Sequence, residues 1–331
     1  MNYHLGVIYR RANTWWKLDH LEMVMKRYKT VKVTIIDVTD GNFTMPSDLD
    51  FLAILPQESD FVVDFIRNNK KLKWIHCLWA GVDKFLNKKE IFDNDNIILT
   101  NARGAYAESL AQYAIFVMTY YYFNTSVYLK GFNERKWTVP VNKLLKDKVL
   151  LVVGYGLNGI EIAKKAKLGF EMRVIGVRKP QNDNLGAEYV EEIHDVDKLD
   201  NLLPKADFVL SVLPHTEETI DLYNFKRFKL MKSSSYFINI GRGSCVVEED
   251  LIRALNEKVI AGAALDVTKT EPLPSTSPLF DVDKDKLFLS FHSCDNTNEY
   301  FQQGVTVLEK NLVSYLKEGK LTTVVDKKLG Y

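Results

Sequence analysis

Three side chains of this 331-residue chain have types that could grip an anionic group and move a proton: Arg242, Glu271 and His292. An arginine set between Gly241 and Gly243 can reach a carboxylate and a carbonyl oxygen with two parallel N–H donors. A histidine passes a proton near neutral pH. A glutamate beside it fixes the tautomer and stabilises the imidazolium. Each follows a short apolar run that reads as a strand: Tyr236–Ile240, Ala261–Asp266 and Leu287–Ser290, with a fourth such run, Phe208–Leu213, before them. Behind them come Ser211-Val212-Leu213-Pro214-His215-Thr216, then Ile240-Gly241-Arg242-Gly243, then Asp266 with Glu271-Pro272, and last His292. Open α/β sheets bind ligands beyond the carboxyl ends of their strands, so residues far apart in sequence are expected to converge on one cleft.

A second constellation lies upstream. The apolar run Val149–Val153 is followed by Gly154, Gly156 and Gly159 in the spacing G-x-G-x-x-G, with Leu157 and Asn158 between the last two. An amphipathic run and a further strand, Met172–Val177, complete a strand–turn–helix–strand unit. In this frame the first glycine permits the tight turn. The second lets the backbone approach a pyrophosphate, and the third lets the helix pack close. The helix N-terminus offers N–H groups to phosphate. The motif therefore predicts a dinucleotide site.

These residues need a scaffold, and the chain is long enough for two domains. Lys and Arg number 44 against 43 Asp and Glu, scattered rather than blocked, which gives no reason to expect nucleic acid or an acidic membrane. Cys77, Cys245 and Cys294 lack metal or disulfide spacing and fit a reducing, cytoplasmic setting. Ser109–Leu129 carries no charge, yet its five tyrosines and its Gln, Asn, Ser and Thr residues favour a buried or interface helix over a membrane span. The fold class predicted is α/β, with two doubly wound parallel sheets. Residues 1–101 and 297–331 form a flavodoxin-like substrate domain, and 102–296 form an inserted, six-stranded Rossmann domain. In the first, strands are expected at His4–Tyr9, Val31–Val38, Phe51–Leu55, Trp74–Leu78 and Ile97–Leu99. Helices are expected at Trp16–Arg27, Phe61–Asn68 and Val82–Leu86. A long helix at Tyr106–Phe123 leads to a polar turn, Asn133–Lys136. Another helix, Thr297–Glu318, precedes a polar tail.

The ordered series GYGLNG, LPHTEETIDLYN, NIGRGSCVVEEDLIRAL, GAALDVTKTEPLPSTSPLF and His292 resembles the D-isomer-specific 2-hydroxyacid dehydrogenases, over about Trp79 to His292. The resemblance implies reversible reduction of a 2-oxo acid by hydride from a nicotinamide dinucleotide. His292 would act as general acid/base. Arg242 would orient the carboxylate and polarise the carbonyl, and Glu271 would keep His292 protonated. It also implies that the backbone of Trp79, Ala80, Gly81 and Val82 binds the substrate carboxylate. Asp266 would contact the nicotinamide carboxamide, and Leu213, Pro214, Thr216, Ile240 and Gly241 would line the cofactor. Similar loops in glyoxylate and hydroxypyruvate reductases reach across a homodimer, which makes Trp137 a candidate substrate contact.

The strand Met172–Val177 ends in Arg178-Lys179, where an acid would suit a ribose 2′-hydroxyl and a cation suits a 2′-phosphate. The expected cofactor is therefore NADP(H) rather than NAD(H), unless these two are only solvated loop residues. Glyoxylate or hydroxypyruvate are the favoured substrates. Alternatives are an NAD-linked D-lactate-type dehydrogenase and a dinucleotide-sensing corepressor of the same fold. Three departures stand out: Phe291 replaces the usual proline before the histidine, Ser293-Cys294 replaces a small apolar pair, and Asn158 replaces an aliphatic residue. His76 reads as a core histidine. Arg103 is either a hinge residue or a further ligand contact.

Overall fold

The computed structural model describes residues 3–10, 18–55, 58–85, 88–180 and 183–331. The chain divides into two compact units, Met1–Tyr106 with Thr297–Tyr331, and Ala107–Asn296.

The first unit carries β1 (Tyr3–Tyr9), β2 (Val31–Asp37), β3 (Phe51–Ile54), β4 (Trp74–Cys77) and β5 (Ile98–Asn101). They pair in the parallel order β2-β1-β3-β4-β5, the flavodoxin-like arrangement. β3 and β4 are buried at every position, as expected of central strands covered on both faces. The expected helix Trp16–Arg27 is found as Leu18–Met25, its first two residues lying outside the described ones. At Val82–Leu86 the structure has a 3-10 turn, Asp83–Phe85; Leu86 lies outside the described residues.

The tail, expected to be merely polar, is docked. After the helix Tyr300–Glu318, Val325 is buried and its N–H donates to the Leu99 carbonyl at 2.9 Å. The buried Asn311 accepts from the Thr322 N–H at 2.8 Å, and Thr323 Oγ1 donates to the Asn101 carbonyl at 2.6 Å. Burying a side-chain amide is tolerable because its donors and acceptor are used.

The second unit carries β6 (Val149–Val153), β7 (Arg173–Val177), β8 (Glu192–His194), β9 (Phe208–Ser211), β10 (Tyr236–Asn239), β11 (Gly262–Leu265) and β12 (Leu287–Leu289). The parallel order is β12-β11-β10-β9-β6-β7-β8, so the direction of progression reverses between β6 and β9. That makes seven strands rather than six. The extra one, β8, is short and its glutamate is exposed, which leaves no apolar run to recognise.

The uncharged segment forms the helix Ala107–Tyr122, packed on the fingerprint helix Leu157–Phe170. Its tyrosines serve the interior. Tyr121 stacks on Tyr236 with ring centroids 4.4 Å apart and donates its hydroxyl to the Ala263 carbonyl. Asn124 turns the chain at φ 46°, and a second helix, Thr125–Asn133, follows where none was expected. Among the described residues no helix is long and apolar enough to cross a membrane.

The fingerprint turn sits at the switch point. Gly154 has φ 104°, and a Cβ there would lie 2.5 Å from the Val212 carbonyl oxygen at the end of β9. A Cβ on Gly159 would lie 2.6 Å from the Gly154 carbonyl oxygen. No rotamer relieves a backbone contact. Gly159→Ala should therefore push the helix off its strand, costing about 1–3 kcal/mol of stability. A thermal melt should register roughly 2–10 °C of destabilisation. An unchanged midpoint would mean that the helix does not approach the turn this closely.

Candidate active site

His292 and Glu271 meet. His292 Nδ1 lies 2.6 Å from Glu271 Oε2. A carboxylate only accepts, so Nδ1 carries the proton and Nε2 is left to face a ligand. The other Glu271 oxygen accepts the Thr268 N–H at 3.0 Å. The hydrogen bond to Glu271 raises the His292 pKa above its ordinary 6.5, helped by the carboxylate charge; burial and Arg242 oppose it. Burial pushes Glu271 upward. The bonds from His292 and Thr268, with the charges of His292 and Arg242, outweigh that and hold Glu271 below its ordinary range.

Arg242 follows β10 in extended backbone and begins the 3-10 turn Gly243–Cys245. Asn239 Nδ2 donates to its carbonyl at 2.9 Å, and its own Nη1 donates to the Gly241 carbonyl at 2.8 Å. Its charge acts on both Glu271 and His292, so the three candidates share one cluster.

What fixes the histidine is Asp266, 2% exposed at the end of β11. Its carbonyl accepts the His292 N–H. Its Oδ1 accepts from Ser290 Oγ at 2.6 Å, the Ser293 N–H at 2.9 Å and the Cys294 N–H at 3.1 Å. Tyr113 in turn donates to Ser290 Oγ at 2.6 Å. Phe291 and His292 both adopt left-handed backbone, φ 56° and 52°. A proline at 291 cannot reach that φ, so the unusual phenylalanine and the loop's shape are one fact. Ser290, Tyr113 and the neighbouring Asp295 were not singled out in sequence. Burial pushes the Asp295 carboxyl up, as does the Asp266 charge, against His292 and Arg242. For Ser290 and Asp295 the sole sequence signal was proximity to His292; Tyr113 carried none.

On the cofactor side, Gly154 and Tyr155 N–H groups both donate to the Val177 carbonyl at 2.9 Å, which ties the turn to β7. At Gly156 a Cβ would meet nothing within 4 Å, so the backbone there faces open space. It caps the helix Leu157–Phe170, whose first N–H groups, on Leu157, Asn158 and Gly159, have no acceptor among the described residues. Asn158 Oδ1 and Asp266 Oδ2 are buried, again without a partner among the described residues. Leu213, Pro214 and Thr216 run alongside Gly154. Thr219 Oγ1 closes their turn by donating to the Pro214 carbonyl at 2.7 Å and accepting the Thr216 N–H at 2.9 Å. Ile240 is buried, and a Cβ on Gly241 would lie 2.5 Å from the Leu213 nitrogen. An open cradle of N–H groups for phosphate and an orphaned buried carboxylate oxygen for an amide fit a nicotinamide dinucleotide. Arg178 and Lys179 end β7, and both are ion-paired: Arg178 to Asp183 at 2.8 Å and Lys179 to Glu218 at 2.7 Å.

The remaining candidates belong elsewhere. Trp79, Ala80, Gly81 and Val82 follow β4 in the first unit. The carbonyls of Leu78, Trp79 and Ala80 accept from Tyr106 Oη at 2.8 Å, Ala102 N–H at 3.0 Å and Asn101 Nδ2 at 2.7 Å. Among the described residues the N–H groups of Trp79 to Val82 have no acceptor, which suits an anion. Trp137 is 97% exposed in the second unit and makes no ring contact with the His292 cluster among the described residues. Arg103 is exposed beside Asn101. His76 is wholly buried, its Nδ1 2.7 Å from Thr100 Oγ1, and burial pulls its pKa down to about 3.

The family profile described as "D-isomer specific 2-hydroxyacid dehydrogenase, NAD binding domain" matches residues 116–293. A glyoxylate reductase of Korarchaeum cryptofilum is 31% identical over 235 residues, 68% of each chain. Glyoxylate/hydroxypyruvate reductase B of Escherichia fergusonii is 43% identical over 132 residues, 40% of each chain. Other glyoxylate reductases are matched over about half of their length. A solved structure, a D-isomer specific 2-hydroxyacid dehydrogenase of Xanthobacter autotrophicus in complex with NADPH and MES, shares the fold. Its TM-score is 0.82 at 23% identity, over the whole of both chains.

The Glu271–His292 pair makes a direct prediction. A raised histidine pKa stabilises the fold below about 6.5, and that gain is lost as pH rises through the raised value. Glu271→Gln keeps an acceptor but removes the charge. The His292 titration midpoint, followed by NMR of its ring protons, should then fall toward 6.5. A midpoint that stays put would mean the carboxylate does not hold the proton.

Proposed function

The chain belongs to the D-isomer specific 2-hydroxyacid dehydrogenase family, and we propose that it reduces a small 2-oxo acid, glyoxylate or hydroxypyruvate, to the D-2-hydroxy acid. The observation that carries this reading is the short His292–Glu271 bond held within reach of the Arg242 charge. The names of the similar reductases support the substrate class.

When bound, the dinucleotide supplies the hydride that adds to the carbonyl carbon. Arg242 grips the carboxylate and the carbonyl oxygen, drawing charge toward that oxygen as it becomes an alkoxide. As the resemblance implies, the backbone N–H groups of Trp79 to Val82, which have no acceptor among the described residues, would also bind the substrate carboxylate. His292 presents Nε2 and gives its proton to the oxygen. Glu271 stabilises the imidazolium beforehand, so the acid form persists to higher pH than for a free histidine. In the reverse direction the neutral ring takes the proton back. Asp266 holds the loop and offers Oδ2 to the nicotinamide carboxamide.

For the cofactor we favour NADP(H) over NAD(H), on the cations Arg178 and Lys179 and on the NADPH bound by the Xanthobacter structure. We further propose a cytoplasmic homodimer. The helix Thr125–Asn133 and the arm beyond it expose Phe132 (84%), Trp137 (97%) and Val141 (89%), more apolar surface than a monomer ordinarily leaves in one stretch. Across a dimer Trp137 would reach the partner's substrate.

Purified protein should oxidise NADPH with glyoxylate and hydroxypyruvate, faster than with pyruvate or phenylpyruvate, by nicotinamide absorbance. Absence of turnover with all four acids and both dinucleotides would overturn the reading. His292→Gln should cost at least about a hundredfold in kcat while dinucleotide still binds. Reduction should also fall as pH rises through the raised His292 value, and oxidation should rise. For the arm, Trp137→Ala should raise KM severalfold while sedimentation still reports a dimer; a monomeric wild type would remove the assembly.

A further inference from the structure

The two cations at the end of β7 are already occupied by acids of this chain. The Arg178 side chain is 9% exposed, and its Nη2 donates to Asp183 Oδ1 at 2.8 Å and to the Asp183 carbonyl at 3.1 Å. Lys179 Nζ lies 2.7 Å from Glu218 Oε2.

Asp183 is not a loose surface group. Its Oδ1 also accepts the Leu185 N–H at 3.0 Å. That bond, with the one from Arg178, holds the carboxyl below its ordinary range, so it is charged at neutral pH. The same turn is tied to the fingerprint itself. Tyr155, buried between Gly154 and Gly156, donates its hydroxyl to the Gly186 carbonyl at 2.7 Å. Gly186 packs against Ile160 of the fingerprint helix so closely that a Cβ there would lie 2.6 Å from Ile160 Cγ1. Glu218 sits in the turn closed by Thr219, on the loop that follows β9. Both acids therefore stand on segments built against the dinucleotide cradle.

A ribose 2′-phosphate and these carboxylates seek the same donors. The phosphate must displace them or bind beside a like charge, whereas a 2′-hydroxyl finds in Asp183 an acceptor. We propose that Asp183, seconded by Glu218, sets the ratio of NADPH to NADH affinity by competing with the 2′-phosphate for Arg178 and Lys179. Asp183 dominates because its arginine is nearly buried. Lys179 and Glu218 are 43% and 64% exposed, where water and salt weaken the pair. The inference rests on Arg178 and Lys179 being the 2′-phosphate ligands, as proposed above.

The test is direct binding of NADPH and of NADH to the full chain, by calorimetric titration or fluorescence quenching. Arg178→Ala examines the underlying reading and should weaken NADPH more than NADH, by about tenfold. Asp183→Asn keeps the acceptor for Leu185 and loses only the charge. It should tighten NADPH about three- to tenfold with NADH within about twofold, and Glu218→Gln should tighten NADPH by at most about twofold. A thermal melt checks that each variant is folded. If Arg178→Ala loses both dinucleotides equally, the 2′-phosphate reading fails and the competition with it. If Arg178→Ala is selective but Asp183→Asn leaves the NADPH-to-NADH ratio unchanged, or weakens NADPH, only the competition is overturned.

Discussion

The candidate site depends on one buried carboxylate. Asp266 holds three donors on Oδ1 and the His292 N–H on its carbonyl, while its own N–H donates to the Asn239 carbonyl at 3.0 Å. Two consecutive residues with φ above 50° cost on the order of 1–3 kcal/mol each, and persist only where the surroundings over-determine them. The bonds from the Asp266 residue are that over-determination. They also tie β11 to the loop beyond β12 and to β10, so the histidine loop is fixed to the same sheet edge that carries Arg242. The carboxylate tolerates burial because its charge is met by donors on one oxygen. The other oxygen has no partner among the described residues, which is a cost a bound amide would relieve.

The sheet order explains why the glycine-rich turn and the His292–Glu271 pair share a unit. β12, β11, β10, β9 and β6 are consecutive neighbours. The loops at their carboxyl ends carry His292, Asp266, Arg242, Pro214 and Gly154 in that same spatial order. Residues spread over some 140 positions of sequence thus line one edge. Parallel strands about 4.8 Å apart put five loops within roughly 20 Å, the span of a dinucleotide. The His292 and Glu271 side chains are 47% and 35% exposed. Any ligand that covers them strengthens their coupling, because the effective dielectric falls.

Much of this was legible in the sequence wherever a residue type was forced. Only glycine can occupy position 154, and the buried strands had to be apolar on both faces. The resemblance then supplied roles for Arg242, Glu271 and His292. What was not legible depended on partners chosen by the fold. β8 holds one apolar residue among three and is recognisable only by its pairing with β7. The polar tail became structural because Asn311 receives it. Asp183 and Glu218 look like ordinary loop acids until Arg178 and Lys179 are seen bonded to them. The two cations at the end of β7 are visible in the sequence, but the net charge there is not, since two carboxylates pair with them.

The same counting explains Asp295. Around His292 the charged groups are Arg242 and the imidazolium on one side, and Glu271 and Asp266 on the other. Those four balance. A further carboxylate at Asp295 would be the surplus charge, in a place where burial already disfavours it and Asp266 repels it. Its carboxyl pKa is raised for that reason, although two cations pull the other way. When His292 loses its proton, one of those cations disappears and the Asp295 carboxyl is pushed further in the same direction. Glu271, held below its ordinary range, still accepts the Nδ1 proton.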